Sequence, residues 1–230
     1  MTEVSFQPLL EALIEEQPHF HAWPDGRSAN WGLAPDVLRF LFAQLRPGMT
    51  TLETGAGYTT IAFGIAGTRH IAVTPDEAQA GRVRAYLAKL GVAPDLTFLH
   101  GSSDTVLPSG HGIPDQLDLV FIDGAHRFPF PVLDWHYTEG RVPIGGIVVI
   151  DDCSMPSVRI LRDFLAGEDD WALVEECSQT AFFRRVQKQP NRMDWMDQNL
   201  NRPYLDRNSG KAAKKDAQSP KPRRKRFRWF

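Results

Sequence analysis

Between Met49 and Val186 the chain alternates short apolar runs with stretches of helical periodicity. TTLE is β-prone and runs into a glycine-rich loop, and YTTIAFGIA after it reads as a helix. RHIAVT predicts a second strand. PDEAQAGRVRAYLAKLG predicts a helix with Pro75 in its first turn, Asp76 and Glu77 where the dipole favours acids, and Gly91 as a C-terminal cap. Val83, Tyr86, Leu87 and Leu90 supply its i, i+3, i+4, i+7 face. DLTFLH and QLDLVFID predict the third and fourth strands, with a helix around 129–139 after them. GGIVVID is the fifth, and its unbroken apolar core suits a strand covered on both faces. SVRILRDFLAG reads as a helix, and WALVEEC and TAFFRRV as a closing antiparallel hairpin.

Strands alternating with helices imply an α/β fold: a doubly wound, mostly parallel sheet with right-handed crossovers. Counting the closing hairpin, seven strands are expected. The first 45 residues differ, with one or two helices, the clearer being PDVLRFLFAQL. They are expected to pack over the ligand-binding end or over a sheet face. Three regions follow: a helical extension over 1–48, a catalytic domain over 49–188, and an extension with a basic tail over 189–230.

The 230 residues are 42% hydrophobic and 23% charged, which is ordinary for a globular protein. No apolar run reaches the roughly 18 residues of a membrane span, and the acidic N-terminus is unlike a secretory signal. A cytoplasmic protein is expected. Cys153 and Cys177 are read as reduced thiols at or near the core, too few for a disulfide framework. The net charge of -2 divides into +8 from residue 210 onward and -10 before it. The tail cannot bury enough surface to offset its ordering entropy and is expected to be disordered. RRKRFRWF, basic with interleaved aromatics, suits nucleic acid or an anionic surface as a contact, while the acidic body argues against nucleic acid as substrate.

In such sheets ligands bind beyond the carboxyl ends of the strands, where strand order reverses. The first strand-to-helix loop reads Glu53-Thr54-Gly55-Ala56-Gly57-Tyr58-Thr59-Thr60. Glycines there allow a tight turn and close backbone approach to a ligand, although a purely structural turn needs them too. A dinucleotide fingerprint would want a third glycine where Thr60 stands. The fourth strand closes with Asp123-Gly124-Ala125-His126 and the fifth with Asp151-Asp152. Adjacent parallel strands end on one edge, so these acids should converge, with His126 one turn away. Crowded carboxylates repel unless a cation or proton joins them, and oxygen ligands suit Mg²⁺ or another hard divalent ion. Asp123, Asp151 and Asp152 form that expected set. His126 is the candidate proton acceptor. The bland alternative makes Asp-Gly a turn and Asp151-Asp152 a helix cap.

E-T-G-A-G resembles the first motif of class I S-adenosylmethionine-dependent methyltransferases. LDLVFIDGAHRFPFPVLDW followed by GGIVVIDD resembles their D-G-x-H-containing O-methyltransferase branch (methyltransferase domain 24 type). The resemblance implies S-adenosylmethionine as cofactor, with Glu53 organising the loop and the Gly55–Gly57 backbone against the methionine part. It implies Asp123 as first metal aspartate, Asp151 and Asp152 as the acidic pair, and His126 as general base. Where the family ends its second strand with a ribose-binding acid, this chain has Thr74, with Asp76 and Glu77 in the next turn. Ser102 falls where the fold contacts adenine. The activity implied is O-methylation of a small-molecule hydroxyl. A nicotinamide-dependent oxidoreductase and a non-catalytic protein acting through its basic tail are the alternatives.

Overall fold

The computed structural model describes residues 6–23, 25–187 and 194–208. The disorder and contacts expected of the basic tail concern residues outside these. The chain divides into two compact units, 1–188 and 189–230. In the second, 3₁₀ turns span Trp195–Asp197 and Asn199–Asn201, the first capped by Asp194 accepting from the Met196 N–H. Among the described residues no helix is long and apolar enough to cross a membrane.

The first unit opens with α1 (Gln7–Glu16), a two-residue pair β1 (His21–Ala22) and β2 (Ser28–Ala29), and α2 (Pro35–Gln44). Then come β3 (Thr50–Thr54), α3 (Tyr58–Ile65), β4 (Arg69–Thr74), α4 (Glu77–Lys89), β5 (Asp95–His100) and α5 (Ser103–Ser109). β6 (Leu119–Ile122), α6 (Phe130–Thr138), β7 (Ile147–Ile150), α7 (Pro156–Gly167), β8 (Trp171–Cys177) and β9 (Thr180–Arg185) complete it. One seven-stranded sheet runs in the order β5-β4-β3-β6-β7-β9-β8. Its first five strands are parallel, and β9 enters antiparallel between β7 and β8. The expected doubly wound sheet with an antiparallel closing hairpin is present.

Alternate residues of the central strands go to different cores. Val120, Ile122, Val148 and Ile150 pack with Leu161 and Leu165 of α7. Leu119, Phe121, Ile147 and Val149 pack with Val37 and Leu41 of α2 and Phe63 of α3. That two-sided burial is why these strands read as unbroken apolar runs. α2 therefore covers a sheet face, while the β1–β2 pair reaches the ligand-binding end, so the N-terminal segment does both things the sequence left open. α4 begins at Glu77 behind the N-cap Asp76, whose carboxylate accepts from the Gln79 N–H at 2.9 Å. Pro75 thus precedes the helix rather than entering its first turn, because capping by Asp76 fixes the start. Both cysteines are free thiols, and burial pushes Cys153 up to about 12.

Candidate active site

Strand order reverses between β3 and β6, and a cavity of about 700 Å³ opens there at the carboxyl ends of the strands. That size lies within the roughly 300–1,000 Å³ of small-molecule sites. Thr54, Gly55 and Ala56 form its floor beside Thr74, Asp76, Ser102, Asp123, His126, Asp151 and Asp152. Gly55 has φ +94°, and a Cβ on it would lie 2.4 Å from the Asp123 carbonyl oxygen. Glycine here lets the β3 loop cross directly over the end of β6.

Glu53 does not face the cavity. It is 1% exposed and turned beneath the loop, where Thr59 and Thr60 donate their hydroxyls to its two oxygens. Thr60 Oγ1 also accepts from the Gly57 N–H at 2.8 Å, and His70 Nε2 lies 3.1 Å from Glu53 Oε1. Glu53 thus ties the first turn of α3 to the sheet, and through Thr60 it holds the loop from below. Gly57 belongs to the same brace rather than to the lining.

At the end of β4, the Thr74 hydroxyl donates to Gln79 Oε1 at 3.1 Å and accepts from the Asp76 N–H at 3.2 Å. Asp76 lines the cavity while capping α4 and pairing with Arg82 at 3.3 Å. Ser102 precedes α5 without a side-chain cap bond, so its hydroxyl remains open to the cavity.

The acidic group lies at the ends of β6 and β7. His126 Nε2 is 3.3 Å from Asp123 Oδ1 and 3.3 Å from Asp152 Oδ2. Ser157 of α7 donates to the His126 carbonyl at 2.5 Å, pinning that turn. Asp152 has φ +57°, a left-handed conformation that costs roughly 1 kcal/mol or more and recurs at functional sites. Gln179 donates to its other oxygen. Asp151 also lines the cavity, yet one of its oxygens accepts from Thr180. One ligand atom each from Asp123, His126 and Asp152 lie within 4.8 Å of one another. So the tightest trio contains His126 where the sequence suggested Asp151. Burial, with the Asp151 and Asp152 charges behind it, pushes Asp123 up to about 7, against the opposing hydrogen bond to His126. The same hydrogen bond raises His126 against its own burial. The two titrate as a coupled pair.

Residues 52–153 match the family model described as a methyltransferase domain. This segment resembles a methyltransferase domain. In this chain the matched segment begins within β3 and ends just beyond β7, enclosing both the glycine loop and the acidic cluster. Its fold is similar to a cofactor-bound protein from MTB, Rv0187 (16% identity, TM-score 0.58). It is also similar to the O-methyltransferase TomG from Streptomyces achromogenes in complex with SAM (19%, TM-score 0.57). A methyltransferase from Geobacter sulfurreducens is a third (14%, TM-score 0.57). Each comparison covers 81% of this chain and 92% of the other. No curated protein matches the chain.

Several residues of the cavity have no signal in the sequence. Gln79 and Gln179 are ordinary polar residues in sequence. Between α1 and α2, Phe20 is an anchor, 2% exposed with edge contacts to Tyr58 and Tyr86, whereas His21 and Trp31 line the cavity. Asp134 of α6 is 1% exposed behind Gly124, whose added Cβ would stand 3.3 Å from its Oδ2. Burial pushes Asp134 up to about 6, while the Ser103 and Thr54 hydroxyls pull it down without closing a well-formed hydrogen bond.

The folded state holds the Asp134 proton to about pH 6, whereas the unfolded chain releases it near 4. Between those values rising pH deprotonates only the unfolded chain, so stability falls as pH rises through the window. Asp134→Asn removes the titration. Urea unfolding at pH 4 and pH 8 should show the variant gaining on the wild type by on the order of 2–3 kcal/mol at the higher pH. A difference that does not vary with pH would place the Asp134 proton elsewhere.

Proposed function

We propose that this protein transfers the methyl group of S-adenosylmethionine to a hydroxyl of a small molecule. The observation that carries this is His126 set between Asp123 and Asp152, in the same cavity as the glycine loop. When bound, the cofactor supplies an electrophilic methyl on a sulfonium sulfur. The chain supplies position and a proton acceptor. With Nε2 turned to the two carboxylates, Nδ1 is the nitrogen left to take the acceptor's proton, and the carboxylates stabilise the imidazolium that results. Orientation of the two reactants within one walled cavity contributes much of the remaining rate.

The lining also bears on the acceptor. Among the described residues it carries Asp76, Asp123, Asp151 and Asp152 and no lysine or arginine. A phosphate or carboxylate on the acceptor would meet like charge beside Asp123, Asp151 and Asp152, so the acceptor is neutral or cationic. Trp31 and Met155, 53% and 39% exposed, offer it apolar contact.

A metal-assisted version rests on the spacing of the trio. Two carboxylates and an imidazole with ligand atoms within 4.8 Å of one another suit a divalent cation. Asp123, Asp152 and His126 would hold it, and it would acidify the acceptor hydroxyl. Calorimetric titration with S-adenosylhomocysteine, with and without Mg²⁺, tests both versions. Micromolar-range binding is expected. Affinity or turnover that rises with Mg²⁺ supports the metal, and indifference to it leaves His126 as the base. No binding in either condition overturns the methyl-transfer reading.

A further inference from the structure

His21 stands over the glycine loop although it comes from the N-terminal β1–β2 pair. Its Nε2 lies 3.1 Å from where a Cβ on Gly57 would be, and Trp31 packs on its ring at 5.0 Å. Its Nδ1 is 2.8 Å from Gln79 Nε2. The orientation of that amide is fixed independently. Gln79 Nε2 lies 2.6 Å from the Ala56 carbonyl oxygen, which can only accept, so that atom is the nitrogen and not the oxygen. Gln79 Oε1 accepts in turn from Thr74. Gln79 therefore donates to His21 Nδ1. In a neutral imidazole the one ring proton must then sit on Nε2. Burial lowers the pKa of His21, with Arg82 acting in the same direction, so the neutral form is the working one. Among the described residues Nε2 has no hydrogen-bond partner.

An N–H donor is thus aimed at the loop from above. The eight-residue helix α3 starts at the same place, and the positive end of its dipole points there. The cofactor has one anionic group, its amino-acid carboxylate, and among the described residues the lining offers no lysine or arginine to meet it. We propose that His21 is a ligand for the cofactor's carboxylate, donating from Nε2 across the glycine loop in the tautomer that Gln79 imposes. The assignment rests on the S-adenosylmethionine reading above. It makes the N-terminal segment part of the cofactor site.

The test compares two ligands on the full chain by calorimetry. S-adenosylhomocysteine carries the amino-acid group, and 5′-methylthioadenosine lacks it while keeping adenine, ribose and sulfur. A hydrogen bond to a charged group contributes about 1.5–3 kcal/mol, or roughly tenfold and upward in affinity. His21→Ala should therefore weaken S-adenosylhomocysteine by about tenfold or more and leave methylthioadenosine within about twofold. Retained methylthioadenosine binding also shows that the variant folds. His21→Gln, whose amide nitrogen can approach the position of Nε2, should recover part of the loss. Equal weakening of both ligands, or no weakening of either, overturns the proposal. If the wild-type chain binds neither ligand, the cofactor reading itself fails and this assignment falls with it.

Discussion

His126→Ala should lower kcat by two to four orders of magnitude, the usual worth of a positioned acid–base group, while S-adenosylhomocysteine binds as before. The separation of the two effects comes from the layout. His126 lies with Asp123 and Asp152, whereas the loop side of the cavity is built by Gly55, Ala56, Gln79 and His21. Asp123→Ala should lower turnover for a related reason. Without Asp123 the His126 ring loses its main hydrogen-bonded partner and is left with Asp152 alone. Single-turnover methyl transfer beside a calorimetric binding curve resolves the two quantities. Unchanged transfer in both variants would remove these residues from the chemistry.

The second large effect is expected from Gly55→Ala. Gly55 cannot move aside. Its N–H donates to the Val73 carbonyl at 2.9 Å, and the Asp123 N–H donates to the Thr54 carbonyl at 3.2 Å. The loop is thereby laced to the strands on both sides, while the new methyl would stand 2.4 Å from the Asp123 carbonyl oxygen. A positive φ adds a further cost for alanine, roughly 1 kcal/mol. We expect a stability loss of about 2–4 kcal/mol and loss of cofactor binding at ligand concentrations that saturate the wild type. Gly81→Ala is the matched control. Gly81 lies exposed within α4 with open space around its Cβ position, so alanine there should stabilise by up to about 1 kcal/mol. Thermal unfolding of the pair checks both signs. A Gly55→Ala protein that binds like the wild type would mean that the loop can re-route.

The fold was legible because local pattern and tertiary environment agree. The runs LVFI and IVVI are apolar on every residue since helices cover both faces of the sheet there. The acids at the ends of β6 and β7 were legible for the same reason, since parallel strands must finish on one edge. What was not legible depends on distance along the chain. Gln79 meets His21 across 58 residues, Thr180 meets Asp151 across 29, and Gln179 meets Asp152 across 27. No local signal marks an ordinary glutamine as the residue that sets a histidine tautomer. Likewise Asp134 resembles any acid of a short helix until its burial behind Gly124 is seen. No local pattern separates the inward anchor Phe20 from the cavity walls His21 and Trp31, because the period of a two-residue strand is too short to read.

The β9 insertion bears on how the protein is made. Gln179 and Thr180, at the turn into β9, hold Asp152 and Asp151, and β9 docks antiparallel on β7 as the last strand of the sheet to be synthesised. On the ribosome, the five parallel strands and the glycine loop emerge well before that strand does. A nascent chain halted short of residue 179 could assemble the half of the cavity that includes His21 and Gly55, but its two β7 acids would stand unbraced. Methyl-transfer competence is therefore expected to arrive late in translation, in a single step, when the final hairpin closes.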